Sequence, residues 1–281
     1  MNLTWTVAAA VLLAALLHAG WNALVKASTD KALDSALIHV MGSVVALPIL
    51  AVVGWPPPAA WPFIAGSVVI HLGYYIALAG AYRHGDLGLT YPLMRGLAPL
   101  LVAVSSGVLL DEPLGPMAWV GVLGVCCGVL VLGLSKQALE QPRAVAFALA
   151  NALLIALYTV VDGLGVRSTG NALQYVAALF VLNCWPFGLL VLARRGPSAA
   201  WSYARHRWPV ATCGALASLA AYGIALWAMT QAPVAIVAAL RETSVLFAAL
   251  LGTWFLREAF TPRRMLGTAA IVAGVMALRL G

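Results

Sequence analysis

The chain has 281 residues, of which 63% are hydrophobic and only 9% are charged, and its mean hydropathy is +0.96. This composition excludes a soluble fold, because apolar runs of about 20 residues, enough to cross a bilayer as helix, recur along the whole length. The net charge of +7 does not indicate a nucleic-acid partner, since the basic residues lie in short loops where they report membrane orientation.

Ten apolar runs predict ten transmembrane helices and an all-α polytopic membrane protein. In chain order the runs are Leu3–Val25, Leu33–Val53, Trp61–Tyr82, Leu87–Leu110, Pro116–Leu134, Ala144–Val166, Ala172–Ala193, Trp208–Met229, Pro233–Leu256 and Pro262–Leu280. Period-2 alternation is absent, so helices rather than a barrel fill the bilayer. The first run lacks a positive segment ahead of it, and we expect a retained helix rather than a cleaved signal peptide.

The sequence contains an internal repeat. A shift of 146 residues pairs Arg95 with Arg241, Glu112 with Glu258, Pro116 with Pro262, Gly121 with Gly267 and Gly128 with Gly274. A shift of 140 residues places Asp162 on Asn22 and Tyr158 on His18. We predict two five-helix repeats, residues 1–140 and 141–281, with the second inverted because five crossings end on the opposite side. Inverted repeats are typical of transporters that work by alternating access.

Loop charges predict the orientation. Twelve Lys and Arg residues fall on odd-numbered connections, against Arg167 and Arg279 on the other face. The positive-inside rule then places both termini outside the cytoplasm.

Polar residues recur on single faces of the first and sixth predicted helices. His18 and Asn22 are four residues apart, and Tyr158 and Asp162 repeat this spacing, so we expect two polar stripes that face each other. A carboxylate in a membrane helix is costly unless it is paired or wetted, which makes Asp162 a functional candidate. The alternatives are that Asp162 reaches the lipid headgroups and that Asn22 bonds a neighbouring helix.

Aromatic residues line one side of the third and eighth predicted helices. His71, Tyr74 and Tyr75 lie in the third, and Tyr222 lies in the eighth. Such side chains present apolar rings with a polar tip, which suits an amphiphilic organic solute. The alternative for peripheral members, Tyr82 above all, is the interfacial aromatic belt.

Arg95 and Arg241 lie about two helical turns inside their apolar runs and require neutralisation. Two interpretations stay open, binding of a substrate carboxylate and bracing of the repeat interface. Pro92 and Pro99 on either side of Arg95 predict a kinked or broken helix there.

The remaining motifs indicate structure. Glu112 and Glu258 precede matching prolines, and we expect each to cap the helix that follows. Small residues in the fifth and tenth helices predict close helix contact, within a repeat or on a dimer face: Gly121, Gly124, Gly128, Gly267 and Gly274. The four cysteines lie inside predicted helices without metal-ligand spacing, and no nucleotide-binding loop is present. We therefore predict no cofactor, no metal and no ATP drive.

The pattern as a whole resembles the drug/metabolite transporter superfamily, and within it the EamA-type exporters. The resemblance rests on two five-helix halves, on Asn22 and Lys26 near the end of the first helix, and on a Glu between the last two helices of each half. It implies a proton-coupled or facilitative carrier that exports amino acids from the bacterial cytoplasm. Family members typically keep both termini in the cytoplasm, whereas the loop charges here predict the reverse.

We therefore expect a multi-pass secondary transporter of the bacterial inner membrane, monomeric or weakly dimeric, that moves aromatic or other neutral amino acids and is not an enzyme. The predicted site residues are His18, Asn22, His71, Tyr74, Tyr75, Tyr158, Asp162, Tyr222, Arg95 and Arg241. The alternatives are efflux of cationic drugs, which needs an unpaired membrane carboxylate, and a non-transporting assembly factor, which needs a sizeable extramembrane loop.

Overall fold

The computed structural model describes residues 3–85, 87–133, 141–256 and 261–280. Within these ranges every regular element is helical, which confirms the predicted all-helical class. The elements are α1 (Trp5–Lys26), α2 (Lys31–Val53), a 3₁₀ turn (Pro58–Ala60), α3 (Trp61–His84), α4 (Leu87–Leu109), α5 (Pro116–Gly133), α6 (Pro142–Arg167), α7 (Ala172–Arg195), α8 (Pro197–Met229), α9 (Val234–Arg241), α10 (Thr243–Leu256) and α11 (Pro262–Leu280). Seven of the described helices, α1 to α4 and α6 to α8, are long and apolar enough to cross a membrane, and α5 is a shorter apolar helix.

Side-chain caps and positive-φ glycines set the ends of α2 and α7 in the same way. The carboxylate of Asp30 accepts hydrogen bonds from the first backbone N–H groups of α2, and the Asn171 side chain does the same for α7. Gly54 and Gly196 end these helices at φ +81° and +79°, values that glycine adopts without strain. The basic stretch between the seventh and eighth predicted helices, residues 194–207, is the longest connection that the sequence predicts. Because Gly196 alone separates α7 from α8, this segment is helical, and the eighth helix begins at Pro197 rather than at Trp208.

Of the kink or break predicted near Arg95, the break is absent, and a break lies in the repeat-equivalent helix instead. Helix α4 is continuous through Pro92 and Pro99. A proline in a membrane helix loses one backbone bond but keeps a helical φ, and here α4 is held by packing against α5, α6 and α9. The ninth predicted helix divides at Glu242 into α9 and α10. The junction is tightened by two i→i+3 bonds, from Glu242 N to Ala239 O (3.1 Å) and from Val245 N to Glu242 O (3.0 Å).

The predicted glycine seam joins the two halves of the chain. Helices α5 and α11 pack so closely that a Cβ added to Gly124 would lie 3.0 Å from the Cα of Gly274, and one added to Gly128 would lie 2.8 Å from the carbonyl oxygen of Gly267. The seam is thus internal to the chain and lies between the halves, rather than within one repeat or on a dimer face. Backbone contact of this kind maximises van der Waals packing where lipid removes the hydrophobic driving force.

Glu112 does not cap the helix that follows it, so that prediction is wrong. Its carboxylate accepts hydrogen bonds from the backbone N–H of Val234 (2.9 Å) and from the guanidinium of Arg167 (2.7 Å). Arg167 also donates to the carbonyl oxygen of Met229 (2.8 Å), just before α9. The start of α9 combines a backbone N–H that has no helical acceptor, the positive end of the helix dipole and the nearby guanidinium of Arg167. Together they bind the Glu112 carboxylate, although it lies far away in the sequence. Its repeat equivalent, Glu258, lies outside the described residues.

We predict that Gly274→Ala destabilises the protein. The new Cβ would lie 2.6 Å from the backbone N of Val125, so α5 and α11 must separate, at a cost of about 1–3 kcal/mol. Thermal unfolding in detergent measures the effect. The control is Gly107→Ala in α4, where nothing lies within 4 Å of the added Cβ. Equal melting temperatures for the two variants would contradict the seam.

We also predict that Glu112→Gln destabilises the protein more than Asp30→Asn does. The Glu112–Arg167 pair is largely buried, with side-chain exposures of 14% and 23%, and breaking a hydrogen bond to a charged group costs about 1.5–3 kcal/mol. The Asp30–Arg195 pair (3.0 Å) involves a half-exposed arginine, and such pairs contribute about 0–1 kcal/mol. Unfolding in a denaturant series compares the two, and the reverse order would refute this assignment.

Candidate functional site

Asp162 is fully buried in α6, and both of its carboxylate oxygens are occupied. The hydroxyl of Tyr175 in α7 donates to Oδ1 at 2.8 Å, and the hydroxyl of Tyr222 in α8 donates to Oδ2. Asp162 therefore faces the inside of the helix bundle and does not reach for headgroups. Two hydroxyl donors supply the hydrogen bonds that a carboxylate needs when it is removed from water.

A glycine one turn further along α6 makes this arrangement possible. A Cβ added to Gly165 would lie 2.5 Å from the hydroxyl oxygen of Tyr175, so any larger residue would obstruct the ring. Tyr175 itself is fully buried. Glycine at position 165 thus leaves room for the phenol ring of Tyr175 in α7 to lie across the surface of α6 and reach Asp162.

Tyr222 connects Asp162 to one of the two intramembrane arginines. While its hydroxyl bonds Asp162, its ring lies under the guanidinium of Arg241, with 5.2 Å from Cζ to the ring centroid. This is cation–π geometry. Among the described residues no carboxylate forms an ion pair with Arg241.

Arg95 has a different role. Its Nε lies 2.8 Å from Oε2 of Glu242, and its Nη2 donates to the hydroxyl of Ser244 at 3.1 Å. The Nε–H is not aligned with the carboxylate oxygen, so this contact is an electrostatic pairing rather than a hydrogen bond. Arg95 therefore binds α4 to the junction of α9 and α10, which favours the bracing interpretation for this residue.

Five rings form a continuous aromatic row beside Asp162. His71 stacks on Tyr158 with centroids 4.3 Å apart, Tyr158 meets the edge of Tyr74 at 6.0 Å, Tyr74 meets Tyr75 at 5.3 Å, and Tyr75 stacks on Phe187 at 4.9 Å. The row crosses from α6 through α3 to α7. It brings together four of the residues that the sequence pattern had selected and adds Phe187.

Hydrogen bonds fix the orientation of the row. His71 lies 2.8 Å from the carbonyl oxygen of Ser67 through Nδ1. The hydroxyl of Tyr75 lies 2.9 Å from Nε2 of His39, whose Nδ1 faces the carbonyl oxygen of Ser35 at 2.7 Å. A carbonyl oxygen can only accept, so Nδ1 of His39 carries the proton and Nε2 accepts from the tyrosine.

Three residues of the site were missed by sequence reasoning: His39, Tyr175 and Phe187. Tyr175 and Phe187 lie in an apolar helix without a polar stripe, so periodicity gave no signal for them. His39 offered one signal, because a histidine eight residues into an apolar helix needs a buried partner.

The polar residues of α1 contribute less than expected. The side chain of Asn22 donates to the carbonyl oxygen of His18 on its own helix at 2.8 Å, and the ring of His18 meets the edge of Trp21. Helix α1 packs on α8, α9 and α10, whereas α6 packs on α3 and α4, so each borders helices of the other half. The contacts of His18 and Asn22 lie within α1 and do not join these residues to the aromatic row.

An apolar groove lies apart from these residues. It has a volume of about 320 Å³ and runs between α2, α7 and the start of α8, with Trp185 and Trp201 among its lining. None of the predicted site residues lines it. Its exposed tryptophans are those expected of a surface that faces lipid.

Comparison with known proteins identifies a matching family and a solved structure with a similar fold. A model of the EamA-like transporter family matches residues 5–134 and 142–280. A solved crystal structure superposes with a TM-score of 0.77 over 98% of each chain at 19% identity, a likeness that shows the fold alone. No curated protein matches the sequence.

We predict that Gly165→Ala separates Tyr175 from Asp162 and costs about 1.5–3 kcal/mol, the value of a hydrogen bond to a charged group. Tyr175→Phe should cost a similar amount in the wild-type background but little in the Gly165→Ala background, because the bond is already lost there. A double-mutant cycle by thermal unfolding measures this. Additive effects of the two substitutions would show that Gly165 does not position Tyr175.

Proposed function

The chain belongs to the EamA-like transporter family, and we propose that it is a secondary transporter that moves small amphiphilic metabolites, most of all aromatic or other neutral amino acids, across the bacterial inner membrane. It works by alternating access between two inverted five-helix repeats, residues 1–140 and 141–281. The ten crossings are α1 to α8, α9 together with α10, and α11. Export is the direction that the family resemblance implies.

Two observations support the inverted repeats. The family model matches each half of the chain separately, at residues 5–134 and 142–280. The contacts between the halves also occur in equivalent pairs. Helix α1 packs on α8, and its repeat equivalent α6 packs on α3, the equivalent of α8. The pairs α2–α7, α4–α9 and α5–α11 likewise each join one half to the other. A pseudo-two-fold axis in the membrane plane has this consequence.

The solute class is proposed from one observation, the aromatic row beside Asp162 and Arg241. Rings with polar tips offer stacking surfaces to an apolar or aromatic body. Fixed charges of both signs lie next to the row, which suits a small solute that carries its own charged groups. Asp162 is the group that we assign to proton coupling, because it is a buried carboxylate on the proposed pathway.

The rival functions fit the site less well. Efflux of cationic drugs needs an unpaired carboxylate, and Glu242 is paired with Arg95. Asp162 forms no described ion pair, but it is bonded by Tyr222, whose ring already carries the cation Arg241, and this disfavours a second cation there. An assembly factor needs a large extramembrane loop, and the basic segment that was the longest expected connection belongs to α7 and α8.

Uptake into proteoliposomes tests the proposal, with labelled phenylalanine, tryptophan, threonine and lysine and with or without a pH gradient. We expect saturable aromatic uptake that the gradient stimulates, and we expect Asp162→Asn to lose the stimulation. The control is Asp34→Asn, another fully buried carboxylate, which bonds Tyr203 and Arg207 away from the site.

Absence of uptake for every amino acid, by protein that remains folded, would reject the amino-acid carrier. Stimulation that survives in Asp162→Asn would leave the carrier in place and remove Asp162 as the proton site.

A further inference from the structure

The two intramembrane arginines hold equivalent positions in the repeat but have different surroundings. Arg95 is 8% exposed, and its guanidinium contacts Glu242 and Ser244 at the junction of α9 and α10. A solute carboxylate would have to displace Glu242 to reach it. That exchange would leave a buried carboxylate without its partner, which is strongly unfavourable.

Arg241 has no such partner. Its guanidinium covers the ring of Tyr222, and among the described residues its side chain forms neither an ion pair nor a hydrogen bond. A guanidinium has five N–H donors in a planar fork that matches a carboxylate. In a bilayer such a cation requires an anionic partner. The adjacent Glu242 forms its direct ion pair with Arg95 instead, and no other described carboxylate pairs with Arg241.

The position of Arg241 is also suitable for a solute. Tyr222, over which it lies, donates to Asp162. Asp162 in turn lies one helical turn along α6 from Tyr158, a member of the aromatic row. A carboxylate held at Arg241 would therefore leave the rest of the solute beside aromatic rings.

The charge balance of the site favours a zwitterion. The cluster contains two cations, the buried Arg95 and the partly buried Arg241, and two buried carboxylates, Asp162 and Glu242. Its formal charge is therefore zero when both acids are ionised. A zwitterionic solute keeps this sum at zero, whereas a cationic solute raises it to +1. Net charge is unfavourable in a bilayer, so a cation is disfavoured.

We propose that Arg241, and not Arg95, binds the carboxylate of a zwitterionic solute of the amino-acid type. This deepens the proposed function and rests on it. The guanidinium moves from the Tyr222 ring to the carboxylate, and the ammonium of the solute faces the aromatic rings, a favourable partner for a cation.

Equilibrium binding to the purified full chain tests the proposal. The probes are L-phenylalanine and L-tryptophan, each compared with its amide, in which the carboxylate is replaced. For the wild type we expect each amino acid to bind at least about tenfold more tightly than its amide, since a hydrogen bond to a charged group contributes that much. Arg241→Gln should weaken the amino acid only and remove the difference, and Arg241→Lys should restore part of it.

The matched control is Arg279→Gln. Arg279 also lies over an aromatic ring, that of Trp5 at 4.7 Å, but it belongs to the last turn of α11, near a chain end. This variant should keep the wild-type ratio of affinities.

The outcomes separate the two proposals. Equal affinity for amino acid and amide in the wild type, or a ratio that survives Arg241→Gln, would overturn the role of Arg241 and leave the transporter intact if uptake is observed. A wild type that neither binds nor transports any of these probes would overturn both.

Discussion

Charge compensation in a bilayer is the constraint on which this structure depends. Charged residues inside the helix bundle need partners, and three such pairs bring together distant parts of the chain. Arg95 of α4 meets Glu242 between α9 and α10, Glu112 meets Arg167, and Asp34 of α2 meets Arg207 of α8. These pairs join the first half of the chain to the second. They therefore favour one packing of the halves. The effect is largest for Arg95 and Glu242, whose side chains are 10% and 5% exposed, because separating a buried pair leaves an uncompensated charge.

Glycine determines how closely the helices approach each other and thus where functional side chains lie. In the seam between α5 and α11 the backbones touch, which makes this contact between the halves rigid. At Gly165 the missing side chain admits Tyr175 to Asp162. The absence of a Cβ thus permits close helix packing between α5 and α11 and a buried hydrogen bond between Tyr175 and Asp162.

The sequence predicted the helical class and four of the five rings in the aromatic row, because helical period alone places His71, Tyr74, Tyr75 and Tyr158 on defined faces. It also selected Asp162, Tyr222 and both arginines, since polar residues in apolar helices are few. It did not reveal which partner each would choose. Glu112 caps a helix from the other half, and Tyr175 bonds Asp162, because such contacts depend on tertiary packing rather than on spacing. Prolines near Arg95 suggested a break in α4 that packing suppresses, while Glu242, with no proline beside it, marks the junction of α9 and α10.

The central claim is that Arg95 is neutralised inside the protein by Glu242, whereas Arg241, which forms no ion pair with a described residue, is neutralised by the carboxylate of the solute. The most direct test is an experimental structure of the protein with an amino acid bound. The account predicts the carboxylate within hydrogen-bonding distance of Arg241, the side chain against the aromatic row, and Arg95 still paired with Glu242. A carboxylate bound to Arg95 with Glu242 released, or a solute bound away from both arginines, would contradict it.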